Sequence, residues 1–290
     1  MDCNLQHKIK MDSLFKNRTL FIATKHKKEK VLAPLFANKL GVSITVPSID
    51  TDMFGTFSGE ISRKKTAIET LKEKCLSVIN AFEADLVLAS EGSFGSHPTI
   101  GFVPCNEEYL MLIDTKNNFE IVAKEFSVVT NFATTLVTTQ DELLAFANKV
   151  DFPSHRLILK TAITEHQHTI KGIGAYADLL NYFEAIKATK PNVLVETDMR
   201  AMYNPTRMKV IEKAGLKLLD KLFKSCPSCK APGFDITDFE VGLPCSWCGL
   251  PTQSVLYSIT TCLKCKHREK QKFPNGKKVE DPQFCSFCNP

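Results

Sequence analysis

Eight cysteines near the C-terminus stand in four Cys-x-x-Cys pairs, Cys226/Cys229, Cys245/Cys248, Cys262/Cys265 and Cys285/Cys288, separated by 15, 13 and 19 residues. One pair can clamp an edge of a tetrahedral Zn2+ from a single turn, and two pairs complete a shell of four thiolates. The stretch has few large aliphatic side chains, so a metal must supply folding free energy that burial cannot. Two structural zinc ions are therefore expected. Four thiolates close each shell, which makes the ions scaffolding and leaves no open position for a catalytic water. Sequential, crossed and nested pairings all respect the spacings, and sequential pairing is the expectation. The run from Lys264 to Lys278 carries seven basic residues against Glu269 alone. It could contact nucleic-acid phosphates, but Phe273 is its one interleaved aromatic, and a solvated lysine-rich hairpin explains the same charges.

Three further segments follow strand-like runs and are too polar for a core: 24–30 (TKHKKEK), 90–98 (SEGSFGSHP) and 197–208 (TDMRAMYNPTRM). In an open α/β sheet, ligands bind outside the carboxyl ends of parallel strands. Lys28, Glu91, His97, Asp198, Arg200, Asn204 and Arg207 would then share one rim. Glu91 and Asp198 are the candidate catalytic carboxylates, with Mg2+ as the metal they would take. Lys28, Arg200 and Arg207 suit a phosphate. Asn204 and Pro205 also read as the cap and first residue of a helix. His155 (FPSHR) and Lys171 (TIKGIG) would extend the rim, while EHQH at 165–168 is a weaker metal set. The bland readings are a solvated acid for Glu91 and ion pairs to Glu196 or Asp198 for the arginines. GIGAYA formally matches a dinucleotide fingerprint, but the strand leading into it is short and polar; no Walker sequence, nucleophile elbow or HExxH occurs.

The elements that must position these residues alternate. TLFIAT, a helix over 27–39, SITVP, a helix over 60–82 and DLVLAS come in α/β order. EEYLMLID and FEIVAKEFSVVTNF, separated by TKNN, read as an antiparallel hairpin. Helices over 140–149, 174–188 and 206–223 then alternate with RLILKTA and NVLVET, and Val210, Ala214, Leu218 and Leu222 form a buried stripe at spacing four. The expected fold is α/β, a mixed and mainly parallel sheet with flanking helices, plus a small double zinc-ribbon-like module. The expected domains are an N-terminal extension (1–18), the α/β domain (19–224) and the Cys-rich domain (225–290).

With 43% hydrophobic and 24% charged residues the chain can fill a sizeable core, and its net charge of +5 does not announce a nucleic-acid binder. No run is apolar enough for a membrane span, and no signal-peptide pattern opens the chain. A cytoplasmic protein is expected, in which paired cysteines mean metal rather than disulfides. The oligomeric state is not written in the sequence.

From Leu20 onward the chain resembles an uncharacterised bacterial family catalogued as a domain of unknown function, through SEGSFGxHP, TDMRAMxNPTRM, GLPCxxCGxPT and CxxCNP elements. Residues 19–115 also resemble, in part, the inosine/xanthosine triphosphate pyrophosphatases, through GTFSGEISRKKTAIETLKEK, ADLVLASEGSFG and EEYLMLID. That resemblance implies a phosphate-gripping role for Lys28 and a metal-serving role for Glu91, with Glu60 and Arg63 in the second motif. EGSFG stands where that family has EGG, and basic residues around His26 stand where it has Asn before the lysine.

Two functions are consistent with these residues. One is a metal-dependent hydrolase or transferase acting on a small anionic or phosphorylated, nucleotide-like ligand, with Glu91 and Asp198 on metal and Lys28, Arg63, His97, His155, Lys171, Arg200, Asn204 and Arg207 around the ligand. The other is a non-enzymatic adaptor that engages nucleic acid or protein through the basic zinc module.

Overall fold

The computed structural model describes residues 14–51, 65–97, 99–161 and 169–290. Its contacts divide the chain into two compact units, one ending at Leu219 and one running from Asp220 to Pro290.

The first unit contains two sheets. In the first sheet β1 (Thr19–Ala23) leads into helix α1 (Glu29–Leu40), β2 (Ser43–Thr45), helix α2 (Ala67–Phe82), β3 (Leu86–Ser96), β4 (Pro104–Asp114) and β5 (Phe119–Ser127). The order is β2-β1-β3-β4-β5. β1 is parallel to β2 and to β3, because a helix carries the chain back each time. β3, β4 and β5 are antiparallel. The turn after β4 closes where Asp114 accepts the Asn117 backbone N–H at 3.0 Å and Asn118 adopts φ 53. A capping box between Thr66 and Glu69 starts α2. The helix packs Leu71, Cys75 and Val78 against Val87, Ala89 and Met111. Burial pushes the Cys75 thiol up to about 12, the behaviour of a small apolar core residue.

The second sheet has β6 (Thr134–Val137), α3 (Gln140–Lys149), β7 (Leu157–Lys160), β8 (Thr169–Ile173), α4 (Tyr176–Lys187) and β9 (Val193–Thr197), followed by α5 (Pro205–Phe223). Its order is β6-β9-β7-β8 with every neighbour antiparallel. This corrects the expected mainly parallel sheet: the described pairings are mostly antiparallel. Each helix here does link strands of like direction, β6 to β7 and β8 to β9, but an antiparallel strand lies between them in both cases. The cause is two strands without a strong apolar run: TIKGI reverses the chain directly after β7, and TTLV adds an edge strand antiparallel to β9. Leu143, Phe146, Leu157, Leu159, Phe183, Val193 and Val195 form this sheet's core. Val210, Ala214, Leu218 and Leu222 of α5 are all buried.

The second unit contains β10 (Asp235–Val241), β11 (Val255–Thr261) and β12 (Arg268–Lys272), an antiparallel meander in the order β10-β11-β12. Among the described residues, no helix is long and apolar enough to cross a membrane.

Candidate functional site

The four Cys-x-x-Cys segments share one backbone form. The N–H of the residue after each pair donates to the carbonyl of the pair's first cysteine: Lys230 to Cys226 at 2.9 Å, Gly249 to Cys245 at 3.0 Å, Lys266 to Cys262 at 2.9 Å and Asn289 to Cys285 at 2.8 Å. Lys230, Gly249 and Lys266 reach this position with φ of 62, 73 and 62. Each knuckle thereby aims two sulfurs at one point.

Two clusters result, Cys226/Cys229 with Cys262/Cys265 and Cys245/Cys248 with Cys285/Cys288, each with its ligand atoms within 4.8 Å of one another. Sulfurs of opposite knuckles approach to 3.6 Å (Cys226 to Cys265, Cys229 to Cys262), 3.9 Å (Cys245 to Cys288) and 3.7 Å (Cys248 to Cys285). A tetrahedron with Zn–S bonds of about 2.3 Å has edges of about 3.8 Å. The sulfurs therefore fit zinc, and four of them leave no open coordination position.

The pairing is interleaved, first with third and second with fourth, and this corrects the sequential expectation. The meander dictates it. Thr261, at the end of β11, pairs with Asp235 at the start of β10, so the knuckle after β11 returns to the knuckle before β10. β12 reverses the chain again and sends the fourth knuckle to the second, which the Cys245–Glu280 bridge also holds.

A second cluster, of charge, lies in the first unit. Glu91 is buried on β3 and ion-paired with Lys74 of α2. Glu108, opposite Gly92 in the β3–β4 register, holds Arg207 with Nε to Oε1 at 2.6 Å, and both side chains are fully buried. Arg207 also donates from Nη1 to the Met199 carbonyl at 2.5 Å, and its guanidinium lies 5.3 Å from the Phe94 ring centroid. A Cβ on Gly92 would overlap Arg207 Nη2 and Glu108 Oε1, so this glycine makes room for the ion pair rather than for a ligand. Lys28 stands at the N-terminal end of α1, just beyond β1, and is only 6% exposed. Its ammonium donates to Ser90 Oγ at 2.9 Å and to the Ser90 carbonyl at 3.3 Å. Among the described residues no carboxylate lies within ion-pair distance of it. Burial, and then the charge of Arg207, lower its pKa to about 7, against an opposing pull from Glu108.

The remaining candidates are placed as follows. Asp198 is fully buried and held bidentately by Arg200, Nε to Oδ1 at 3.0 Å and Nη2 to Oδ2 at 2.6 Å. Arg200 also lies 4.8 Å from the Tyr203 ring centroid, where Arg156 joins it at 4.3 Å. Asn204 and His155 cap α5: Asn204 Oδ1 accepts the Arg207 N–H at 2.9 Å, and His155 Nε2 accepts the Thr206 N–H at 3.3 Å. That leaves the ring proton of His155 on Nδ1, toward Ser154 Oγ at 3.0 Å, and burial lowers the imidazole pKa. His97 holds a turn, its Nδ1 accepting the N–H groups of Thr99 at 3.0 Å and Ile100 at 3.1 Å. Lys171 sits on β8, opposite Ile158 and partly exposed. Glu60, Arg63 and the 165–168 stretch lie outside the described residues.

The rim thus brings Lys28, Glu91 and Arg207 together and links Asp198 and Arg200 to them through the neighbouring Met199 carbonyl. Sequence reasoning missed Lys74 and Glu108, although both carried a signal. Lys74 interrupts the apolar stripe Leu71, Cys75, Val78 of α2, and Glu108 alternates with the buried Leu110 and Leu112 on β4.

Fold and site define the class: an α/β protein with a structural zinc-binding module. The chain belongs to the family described as "Domain of unknown function (DUF6671)", which matches residues 74–290. No curated protein matches the chain. A solved structure, protein VC0702 from Vibrio cholerae, aligns at 10% identity over 70% of this chain and 94% of its own, with a TM-score of 0.31.

Proposed function

We propose that the α/β unit binds a small phosphorylated ligand at the end of β1 and acts on it as a metal-dependent hydrolase or transferase. Lys28 carries the reading: a buried lysine at a helix N-terminus, whose ammonium is held among the described residues by Ser90 alone, has a remaining donor and a charge that an anion would satisfy. An open pocket of about 400 Å³ lined by Thr24, Lys25, Pro47, Ser48, Ile49 and Asp50 lies beyond the ends of β1 and β2. The Lys28 N–H donates to Thr24 Oγ1 at 3.4 Å, which ties the pocket wall to the lysine. The partial resemblance to triphosphate pyrophosphatases supports the same ligand class.

Mg2+ alone fits the described residues poorly, because Glu91 and Glu108 are already neutralised by Lys74 and Arg207. Mg2+ is commonly held by one or two carboxylates together with substrate phosphates, and there it polarises the phosphoryl group. Glu91 is the carboxylate that would exchange Lys74 for such a complex. Lys28 would orient the phosphate, and Arg207, fixed by Glu108, would keep the rim positive.

The test is a panel of nucleoside triphosphates with Mg2+, read by calorimetry and by phosphate release, for the wild type, Lys28→Met and Glu91→Gln. The expected result is binding that Lys28→Met abolishes and turnover that Glu91→Gln abolishes. Equal binding by the wild type and Lys28→Met would remove the reading.

A further inference from the structure

The two zinc clusters display different side chains. The knuckles of the first are Cys226-Pro227-Ser228-Cys229 and Cys262-Leu263-Lys264-Cys265; those of the second are Cys245-Ser246-Trp247-Cys248 and Cys285-Ser286-Phe287-Cys288. In the second, both knuckles carry an aromatic at the third position, and both rings are in solvent: Trp247 is 79% exposed and Phe287 70%. Large rings in water forfeit burial that a small domain needs. A metal-clamped knuckle holds each ring at little entropic cost to whatever it meets.

The same end of the meander collects further rings and charge. β12 finishes at Lys272, opposite Tyr257 near the start of β11, so it ends on the side of the second zinc cluster. Lys270 and Lys272 stand 5.4 and 6.0 Å from the Tyr257 ring centroid, and Lys272 stands 4.9 Å from that of Phe273. Lys270 is paired with Glu240 and Lys277 with Glu280. Lys272 and Lys278 have no carboxylate partner among the described residues.

We infer that this end of the zinc unit is a binding platform for single-stranded nucleic acid, with bases stacking on Trp247 and Phe287 and the backbone meeting Lys272 and Lys278. The inference is independent of the Lys28 site. Single strands present unstacked base faces that a duplex withholds, and aromatic platforms beside lysines are how sequence-tolerant binders hold them. The electrostatics limit the binding mode. Each four-thiolate zinc centre carries a formal charge of −2, and most nearby lysines are paired, so stacking supplies the main attraction. Two unmatched lysines give a logarithmic salt slope of only about −1.4 on a single strand.

Trp247 is the one tryptophan of the chain and reports its own stacking. The full-length, zinc-loaded protein is titrated with uridine and thymidine oligonucleotides of about ten nucleotides, within the usual site size, and with a blunt duplex. Saturable quenching by single strands and weaker binding of the duplex are expected; the uridine and thymidine arms show whether RNA or DNA is preferred. By anisotropy of labelled oligonucleotide, Trp247→Ala and Phe287→Ala each lose about 5- to 150-fold in affinity. Trp247→Phe retains binding, and all three variants keep their zinc. Lys272→Gln with Lys278→Gln flattens the salt dependence. No quenching up to about 100 µM oligonucleotide, the weak end of non-specific binding, would overturn the inference and leave the rings to a protein partner. Unchanged affinity in Trp247→Ala, or equal binding of duplex and single strand, would also overturn it.

Discussion

Both units crowd charged atoms together, and they neutralise them by opposite means. In the α/β unit Glu91, Glu108 and Asp198 each find a cation of the chain itself, Lys74, Arg207 and Arg200. In the zinc unit two sets of four sulfurs converge with no side-chain cation at their centre. The first arrangement is complete when the chain folds. The second is complete only with a metal, because four thiolates within 4.8 Å of one another would otherwise repel or stay protonated. The folding of one unit should therefore be insensitive to metal and that of the other dependent on it.

The sharpest break of that comparison is zinc removal. A strong chelator should dissolve the β10–β12 meander and leave the α/β unit folded, while Ser in place of any one of the eight paired cysteines should cost one zinc and unfold the end of the meander that its cluster holds. Structural zinc contributes apparent binding free energies of about 10–16 kcal/mol that double as folding free energy. Cys75→Ser and Cys105→Ser should leave the zinc content unchanged. Chelation followed by amide exchange checks the first statement and elemental analysis the second, and simultaneous loss of protection in both units would contradict the contrast.

Next in size is the fully buried pair. Glu108→Gln leaves Arg207 charged and uncompensated in the interior and should destabilise the α/β unit by about 3–5 kcal/mol in urea titrations. Gly92→Ala should do comparable damage by filling the space that Arg207 and Glu108 occupy. Replacing the pair together by Met and Leu should recover much of the loss, since the penalty comes from a lone buried charge.

Lys28 tests whether the cluster carries a surplus of positive charge. Its folded pKa of about 7 lies below the unfolded value of 10.5. Between these values the unfolded chain binds more protons than the folded one, so stability should rise with pH by about 1.4 kcal/mol per unit. Below about 7 the full cost of burying the ammonium remains. Lys28→Met should remove this slope, seen as a difference between wild-type and variant urea midpoints from pH 7 to 10. An anion bound at Lys28 should be accompanied by proton uptake above pH 7, visible as a buffer-dependent heat. Smallest of all is the α5 cap: Asn204→Ala should cost about 1 kcal/mol and leave the zinc content untouched.

How much of this was legible in the sequence differs between the units for the same reason. Cys-x-x-Cys spacing is local, so the ligands could be read directly. Their pairing depends on β10–β12, whose outer strands are largely exposed: DITDFEV of β10 buries no residue fully, and REKQK of β12 is exposed throughout. A meander held by metal at its ends does not need the burial pattern that announces strands. In the α/β unit the rim residues Lys28, Glu91 and Arg207 were readable from their places after strand-like runs. Sheet direction was not, because TIKGI buries only Ile173 and TTLV only Val137, and overlooking TIKGI inverts the direction assigned to β9. The local pair of Asp198 with Arg200 was one of the readings the sequence offered, but the long-range pairs were hidden: sequence shows that Glu91 follows a strand, while its partner Lys74 arrives from a helix seventeen residues earlier.

The claim that the meander assigns the metal ligands can be tested by counting zinc in two double variants at saturating zinc. Cys226→Ser with Cys262→Ser removes ligands from one cluster, and the protein should retain one zinc per chain. Cys226→Ser with Cys245→Ser removes a ligand from each cluster, and the protein should retain none. The reverse counts, none in the first variant and one in the second, would establish sequential pairing and contradict the account.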